Sequence, residues 1–345
     1  MKVLGIESSC DETAAAVVED GKTILSSVVA TQIPFHRQYQ GVVPEIASRK
    51  HAEWILPVVH KALSDAGLGP SGIDAVAATN RPGLVGSLLV GLSFAKTFAW
   101  AMEKPFVAVN HMLGHMYSAH LVHDIPYPYL GLLVSGGHTI IAKVNGFDDW
   151  EVLGTTIDDS VGEAFDKVAK FYELGYPGGV QIDRMAQSGN PAAFSFPVPK
   201  MEKGDHRYDV SFSGLKTAVI HQSDLFLNPG FEKSVQNVSA SFQETACRTL
   251  ISRLLRAVED TGLTTVVAGG GVAANSRLRA LLSEHKELTC IFPPLKLCGD
   301  NGAMIAGVAY HLLLRGERSP LDTAAHARIP QFKRGLENLA AFGRR

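Results

Sequence analysis

Apolar and polar positions along the chain fall into blocks, and the blocks recur. Residues 3–18, Val-Leu-Gly-Ile-Glu-Ser-Ser-Cys-Asp-Glu-Thr-Ala-Ala-Ala-Val-Val, read as a strand, a turn of small polar residues and a second strand. Residues 129–144, Tyr-Leu-Gly-Leu-Leu-Val-Ser-Gly-Gly-His-Thr-Ile-Ile-Ala-Lys-Val, repeat that plan. An ungapped overlay matches Gly5 to Gly131, Ser9 to Ser135 and Thr13 to Thr139, so the chain reads as internally duplicated. Residues 75–84 and 265–274 form a second pair, each an apolar run entering glycine and then a helical stretch. Residues 42–63 and 239–258 carry apolar positions at helical spacing, with Gly67 and Gly262 as stops.

Strands alternating with helices predict an α/β protein built from βαβ units around a largely parallel sheet. The duplication predicts a two-lobed architecture with a central cleft between the lobes. The expected boundaries are 1–128 for the N-terminal lobe, completed by about 305–330, then 129–304 for the C-terminal lobe and a tail over 331–345. The longest apolar stretch, Leu84 to Met102, carries Lys96 and several Gly and Ser, and is expected to be a buried helix rather than a membrane span.

Length and composition agree with this picture. A chain of 345 residues, 46% hydrophobic and 19% charged, is long enough for two lobes. Only a short apolar run precedes Asp11 and Glu12, so a signal peptide is not expected and the cytoplasm is the predicted location, without membrane association. Cys10, Cys247, Cys290 and Cys298 are scattered without a C-x-x-C, which fits reduced thiols. The net charge of −2 supplies no global field toward nucleic acid. Local basic pairs, Arg49-Lys50, Arg277 with Arg279, and Lys333-Arg334, read singly as solvated surface.

Candidate chemistry begins with His111-Met-Leu-Gly-His115, two imidazoles on one helical face. The spacing is that of zinc proteases, but Met112 stands where such an enzyme carries its general-base Glu, so a peptidase is disfavoured. Alone, such a pair is more often two ordinary helix histidines. Asp300, among small residues at the start of another helical stretch, changes the reading, because two imidazoles and a carboxylate leave a metal with open positions.

The glycine turns carry a second chemistry. In Ser135-Gly-Gly-His138, missing side chains let backbone N–H groups approach an anion; the bland alternative is a tight hairpin. Gly269-Gly-Gly271, between a strand and a helix, adds weight to a nucleotide.

These residues resemble the TsaD family of tRNA threonylcarbamoyl transferase subunits, which share the two-lobed fold of actin, sugar kinases and heat-shock chaperone ATPases. The resemblance runs through residues 5–13, 41–49, Gly83 to Gly86, His111 to His115, Leu133 to Thr139, Asp158-Asp159 to Asp166, residues 176–179, Ser211 to Thr217, Gly269 to Asn275, and Asp300 to Ala303. It implies the bacterial or organellar type.

It also implies His111, His115 and Asp300 as ligands of one divalent transition metal, iron before zinc. Leu133, Val134, Ser135, Gly136 and Gly137, with Asp166, Gly179, Asp183 and Asn275, would hold threonylcarbamoyl-AMP, and His138 would contact phosphate or cap the hairpin. Asp11 and Glu12, on adjacent turn residues and so expected to project to different sides, are the candidate general bases. The implied reaction transfers the threonylcarbamoyl group to the exocyclic amine of the adenosine beside the anticodon in tRNAs reading ANN codons. The implied partners are tRNA, an inactive TsaB-like paralogue, a TsaE-like P-loop ATPase and a TsaC-like synthase. A sugar or acetate kinase, a metallopeptidase and a non-catalytic binding module are the competing readings.

Overall fold

The computed structural model describes residues 1–198 and 206–329. The tail expected over 331–345, with its Lys333-Arg334 pair, lies outside the described residues. The described chain divides into two compact units, one holding Met1–Ile125 and residues 293–329, the other Pro126–Phe292.

The first unit opens with a meander, β1 (Lys2–Glu7), β2 (Glu12–Glu19) and β3 (Thr23–Thr31), followed by α1 (Ile33–His36), α2 (Pro44–Asp65), β4 (Ala75–Arg81), α3 (Val85–Ala101), β5 (Phe106–Asn110) and α4 (His111–Tyr117). Its sheet has the order β3-β2-β1-β4-β5. The second unit repeats the scheme with β6 (Tyr129–Val134), β7 (Thr139–Val144), β8 (Trp150–Thr155), α5 (Val161–Phe171), α6 (Gly178–Ala186), α7 (Ser213–His221), α8 (Val235–Thr261), β9 (Thr265–Gly269), α9 (Ser276–Glu284) and β10 (Thr289–Ile291). Its order, β10-β9-β6-β7-β8, matches the first sheet strand for strand. The duplication read from Gly5/Gly131 and Thr13/Thr139 is therefore a duplication of topology.

The sheets are mixed rather than largely parallel. β1, β2 and β3 pair antiparallel, and only β4 and β5 join parallel. Tight turns between the first three strands impose the antiparallel sense, and only the crossovers through α2 and α3 return the chain in parallel.

Side-chain alternation along β1 sends Leu4 and Ile6 into a core with Ile55, Val59 and Ala62 of α2 and Leu92 and Ala95 of α3. The other face receives α11 (Gly302–Leu314), which follows the short α10 (Leu295–Cys298). A side chain at Gly5 would overlap the Gly302 carbonyl, and one at Gly302 would lie 2.6 Å from the Gly5 carbonyl oxygen. Two facing glycines thus let α11 rest on strand backbone. The first unit takes up the chain again at Pro293, ahead of α10 and α11.

α3 fills the stretch expected to be a buried helix, but it keeps a solvent face, with Trp100 69% exposed and Val85 and Leu89 also exposed. Among the described residues no helix is long and apolar enough to cross a membrane. α8 outruns its predicted span at both ends and stops at Gly262, whose φ of +70° is open to glycine at little cost.

Candidate metal centre and nucleotide turn

β5 ends at Asn110, whose side chain accepts the Met112 N–H and so caps α4. This start places His111 and His115 one turn apart, with ring centroids at 4.4 Å. Asp300, just ahead of α11, meets both: its Oδ1 is 3.0 Å from His115 Nε2 and 3.5 Å from His111 Nε2. All three candidate ligand atoms lie within 4.8 Å of one another. Four-coordinate N/O ligation at about 2.0–2.1 Å separates ligand atoms by about 3.3 Å. The donor set therefore fits a divalent transition ion with positions left for water or substrate. Met112 is buried, so its side chain packs where a zinc protease would carry its base.

A residue not singled out in the sequence completes the centre. Glu7, fully buried at the end of β1, accepts from His111 Nδ1 at 2.9 Å, from Thr79 Oγ1 at 2.5 Å and from the Ser9 N–H at 2.5 Å. Its signal in the sequence is a lone carboxylate closing the apolar run Val3–Ile6. Burial pushes the His111 pKa down, but the charges of Glu7 and Asp300 prevail and hold it at about 9. Burial pushes Asp300 up, and the two imidazoles bring it down to about 2. In the metal-free chain a proton on His111 thus occupies the electrostatic place of a cation.

Asp11 and Glu12 do not project to different sides. Their carboxyls hydrogen-bond each other, and Thr31 Oγ1 donates to Glu12 Oε1 at 3.2 Å. Asp11 sits in the bend before β2 starts at Glu12, so strand alternation does not govern the pair. Burial, then the negative charges of Asp11 and Asp300, hold the Glu12 carboxyl well above the usual range.

In the second unit, Ser135–His138 closes the β6–β7 hairpin. The Ser135 N–H donates to the His138 carbonyl at 2.8 Å, and the His138 N–H donates to Ser135 Oγ at 3.1 Å. A Cβ at Gly136 or Gly137 would meet nothing within 4 Å, whereas one at Gly162 would strike the Ser135 carbonyl oxygen at 2.5 Å. The first turn of α5 therefore backs the hairpin, and the two glycines face open space. Leu133 and Val134 are buried core, so only their backbone is available to a ligand.

The remaining candidates follow in a connected series. Asp166 on α5 accepts the Gly178 N–H at 2.7 Å and holds the start of α6, where Gly179 is open. Asp183 on α6 accepts from Ser276 Oγ at 2.6 Å and from Gln243 Nε2 at 2.7 Å. Asn275 caps α9 through the Leu278 N–H at 3.0 Å. Gln243, also missed in the sequence, is a polar residue at an apolar position of α8, and its buried Oε1 has no hydrogen-bond partner.

An α/β protein of two topologically equivalent lobes, one with a His-His-carboxylate centre and the other with an open glycine turn, is what fold and site define. Solved structures share this actin-like ATPase fold. Component A of the Acidaminococcus fermentans (R)-2-hydroxyglutaryl-CoA dehydratase aligns with a TM-score of 0.53 at 15% identity, over 90% of this chain and 98% of that one. Full-length HypF aligns at 0.61 and 13%, over 90% and 55%. The chain belongs to the TsaD family, tRNA N6-adenosine threonylcarbamoyltransferase, whose match spans residues 23–307. Relatives described by that same enzyme name are 69% identical in Treponema denticola, over 97% of this chain and 99% of the relative, and 49% in Borrelia hermsii, over 96% and 98%.

Proposed function

We propose that the protein transfers the threonylcarbamoyl group of threonylcarbamoyl-AMP to the exocyclic amine of the adenosine next to the anticodon in tRNAs reading ANN codons, with a metal at His111, His115 and Asp300. The observation that carries this reading is the convergence of both imidazole Nε2 atoms on Asp300 Oδ1 in a chain otherwise similar, end to end, to threonylcarbamoyltransferases. Iron is the proposed metal, with zinc its competitor, since this donor set accepts either.

The amine is a weak nucleophile because its lone pair is delocalised into the purine. When bound, a divalent ion would supply Lewis-acid polarisation of a carbonyl. The protein's own part is to hold and to move a proton. The backbone of Leu133 to Gly137 and Gly179 receives phosphate, with His138 beside it, while Asp166, Asp183 and Asn275 take hydroxyl and base edges. Glu12, kept basic by burial and by Asp11, accepts the amine proton as the new C–N bond forms and the anhydride C–O bond breaks to release AMP. Loss of that base lowers the rate by a factor of ~10²–10⁴.

The cytoplasm is the proposed location. The proposed partners are a paralogue of the same fold, a P-loop ATPase and the synthase that makes the adenylate. Exposed Leu56 on α2 and Val85 and Leu89 on α3 support a protein partner. Supplying labelled threonine, bicarbonate, ATP and the synthase, and counting label in tRNA, tests the activity. Label in tRNA is the expected result; none in tRNA, with phosphoryl transfer to a sugar or acetate instead, would put the kinase reading in its place.

A further inference from the structure

We infer that the surface formed by residues 33–50 binds the single-stranded anticodon loop of the RNA substrate, stacking bases on Phe35 and Tyr39 and meeting phosphates with Arg37 and Arg49. The inference rests on the tRNA reading above and locates where on the first unit the loop is held.

Its position follows from the backbone. Thr31, the last residue of β3, donates to Glu12, and the next residue, Gln32, donates its N–H to the Asp11 carbonyl at 2.9 Å. The chain leaving the candidate base therefore runs directly into α1 and the turn that follows. That turn is built around a fully buried imidazole. His36 Nε2 lies 3.2 Å from Gln32 Oε1, and its Nδ1 accepts the Val43 N–H at 3.3 Å. Gln32 Nε2 also donates to the Ala47 carbonyl of α2. With His36 turned inward, its neighbours in sequence face solvent.

What they present is specific in kind. Phe35 is 39% exposed and Tyr39 50% exposed, with the exposed guanidinium groups of Arg37 and Arg49 in the same segment. Neither Arg has an ion-pair partner among the described residues. Phe35 is held edge-on against Trp54 at 5.7 Å, with Lys50 over its ring at 4.7 Å. A ring fixed from behind and open in front is a stacking platform. Lys50 is paired with Glu53 at 2.6 Å, so the cations left for phosphate are Arg37 and Arg49. Aromatic faces beside such guanidinium groups suit unstacked bases on a charged backbone, which is how single-stranded RNA is recognised. A loop adenosine whose amine must react has to leave the stack, and this surface lies beside the residue proposed to take its proton.

The full-length protein would be titrated with a fluorescent anticodon stem-loop RNA and with the blunt duplex of the same stem. Phe35→Ala with Tyr39→Ala is expected to weaken stem-loop binding about 5- to 100-fold without altering duplex binding. Tyr39→Phe alone should retain affinity. Arg37→Ala with Arg49→Ala should make log K less steep in log salt by about 0.7 for each phosphate no longer neutralised. Circular dichroism and adenine-nucleotide affinity like those of the wild type confirm folded variants. Wild-type affinity in both paired variants, or no wild-type preference for loop over duplex, overturns the surface while transfer to whole tRNA leaves the activity standing. Absence of any transfer to tRNA removes both readings.

Discussion

Glu7 Oε2 accepts the hydrogen bond of His111 Nδ1 at 2.9 Å from a fully buried strand end. The bond fixes Nδ1 as the nitrogen that keeps its proton and turns Nε2 toward Asp300 as the nitrogen that gives up its proton to an ion, while Thr79 and the Ser9 N–H hold the carboxylate in place. A carboxylate behind a ligating imidazole orients the ring and makes it more basic. Glu7→Gln should therefore weaken metal binding about 10- to 100-fold in chelator competition. An unchanged affinity would reduce Glu7 to a packing group.

Metal binding should depend on pH in a definite direction. An ion must displace the proton that Glu7 and Asp300 hold on His111 up to about pH 9. Apparent affinity should rise roughly tenfold per pH unit below that value and then level. The metal-free protein should respond in the opposite sense. A His whose pKa is raised in the folded state from 6.5 to about 9 stabilises fully below pH 6.5, and that contribution is lost as pH rises through 9. Melting of chelator-treated and metal-loaded protein across this range measures both, and parallel curves would contradict the assignment.

Two glycine substitutions should separate binding from folding. Gly136→Val projects into open space, so the protein should fold but lose affinity for AMP or ATP in calorimetry. Gly270 has a φ of +91°, and a Cβ there would overlap the Val134 carbonyl. Gly270→Ala should thus destabilise by about 1–3 kcal/mol in denaturant titration, whatever the ligand. Unchanged nucleotide affinity in Gly136→Val would leave Ser135–His138 as a turn and nothing more.

A chain of net charge −2 has few cations to spread along an RNA backbone. Alone it should bind tRNA weakly and transfer slowly, and adding the proposed paralogue and ATPase should raise turnover strongly. Whatever RNA affinity exists should fall steeply with salt. Many turnovers by the lone chain, given only threonylcarbamoyl-AMP, would show the partners to be dispensable.

What the sequence alone determines here is local. The strand-turn-strand plan of residues 3–18 and 129–144, the helices around 42–63 and 239–258, and the His111/His115 spacing are each fixed within a few residues, because backbone period and i,i+4 geometry act at that range. Tertiary structure decides the rest. Asp300 reaches the two imidazoles because Gly5 and Gly302 let α11 lie on the backbone of β1, a close approach that depends on two positions far apart in the chain. The pairing of β1 with β4 and of β4 with β5 in one sheet brings the face that carries Glu7 behind His111. Asp11 and Glu12 share a hydrogen bond because the bend precedes the strand, and Asp183 meets Gln243 and Ser276 because three helices converge there. Such meetings arise when apolar faces are buried and glycines set how near two backbones can come. No periodicity in the chain encodes them.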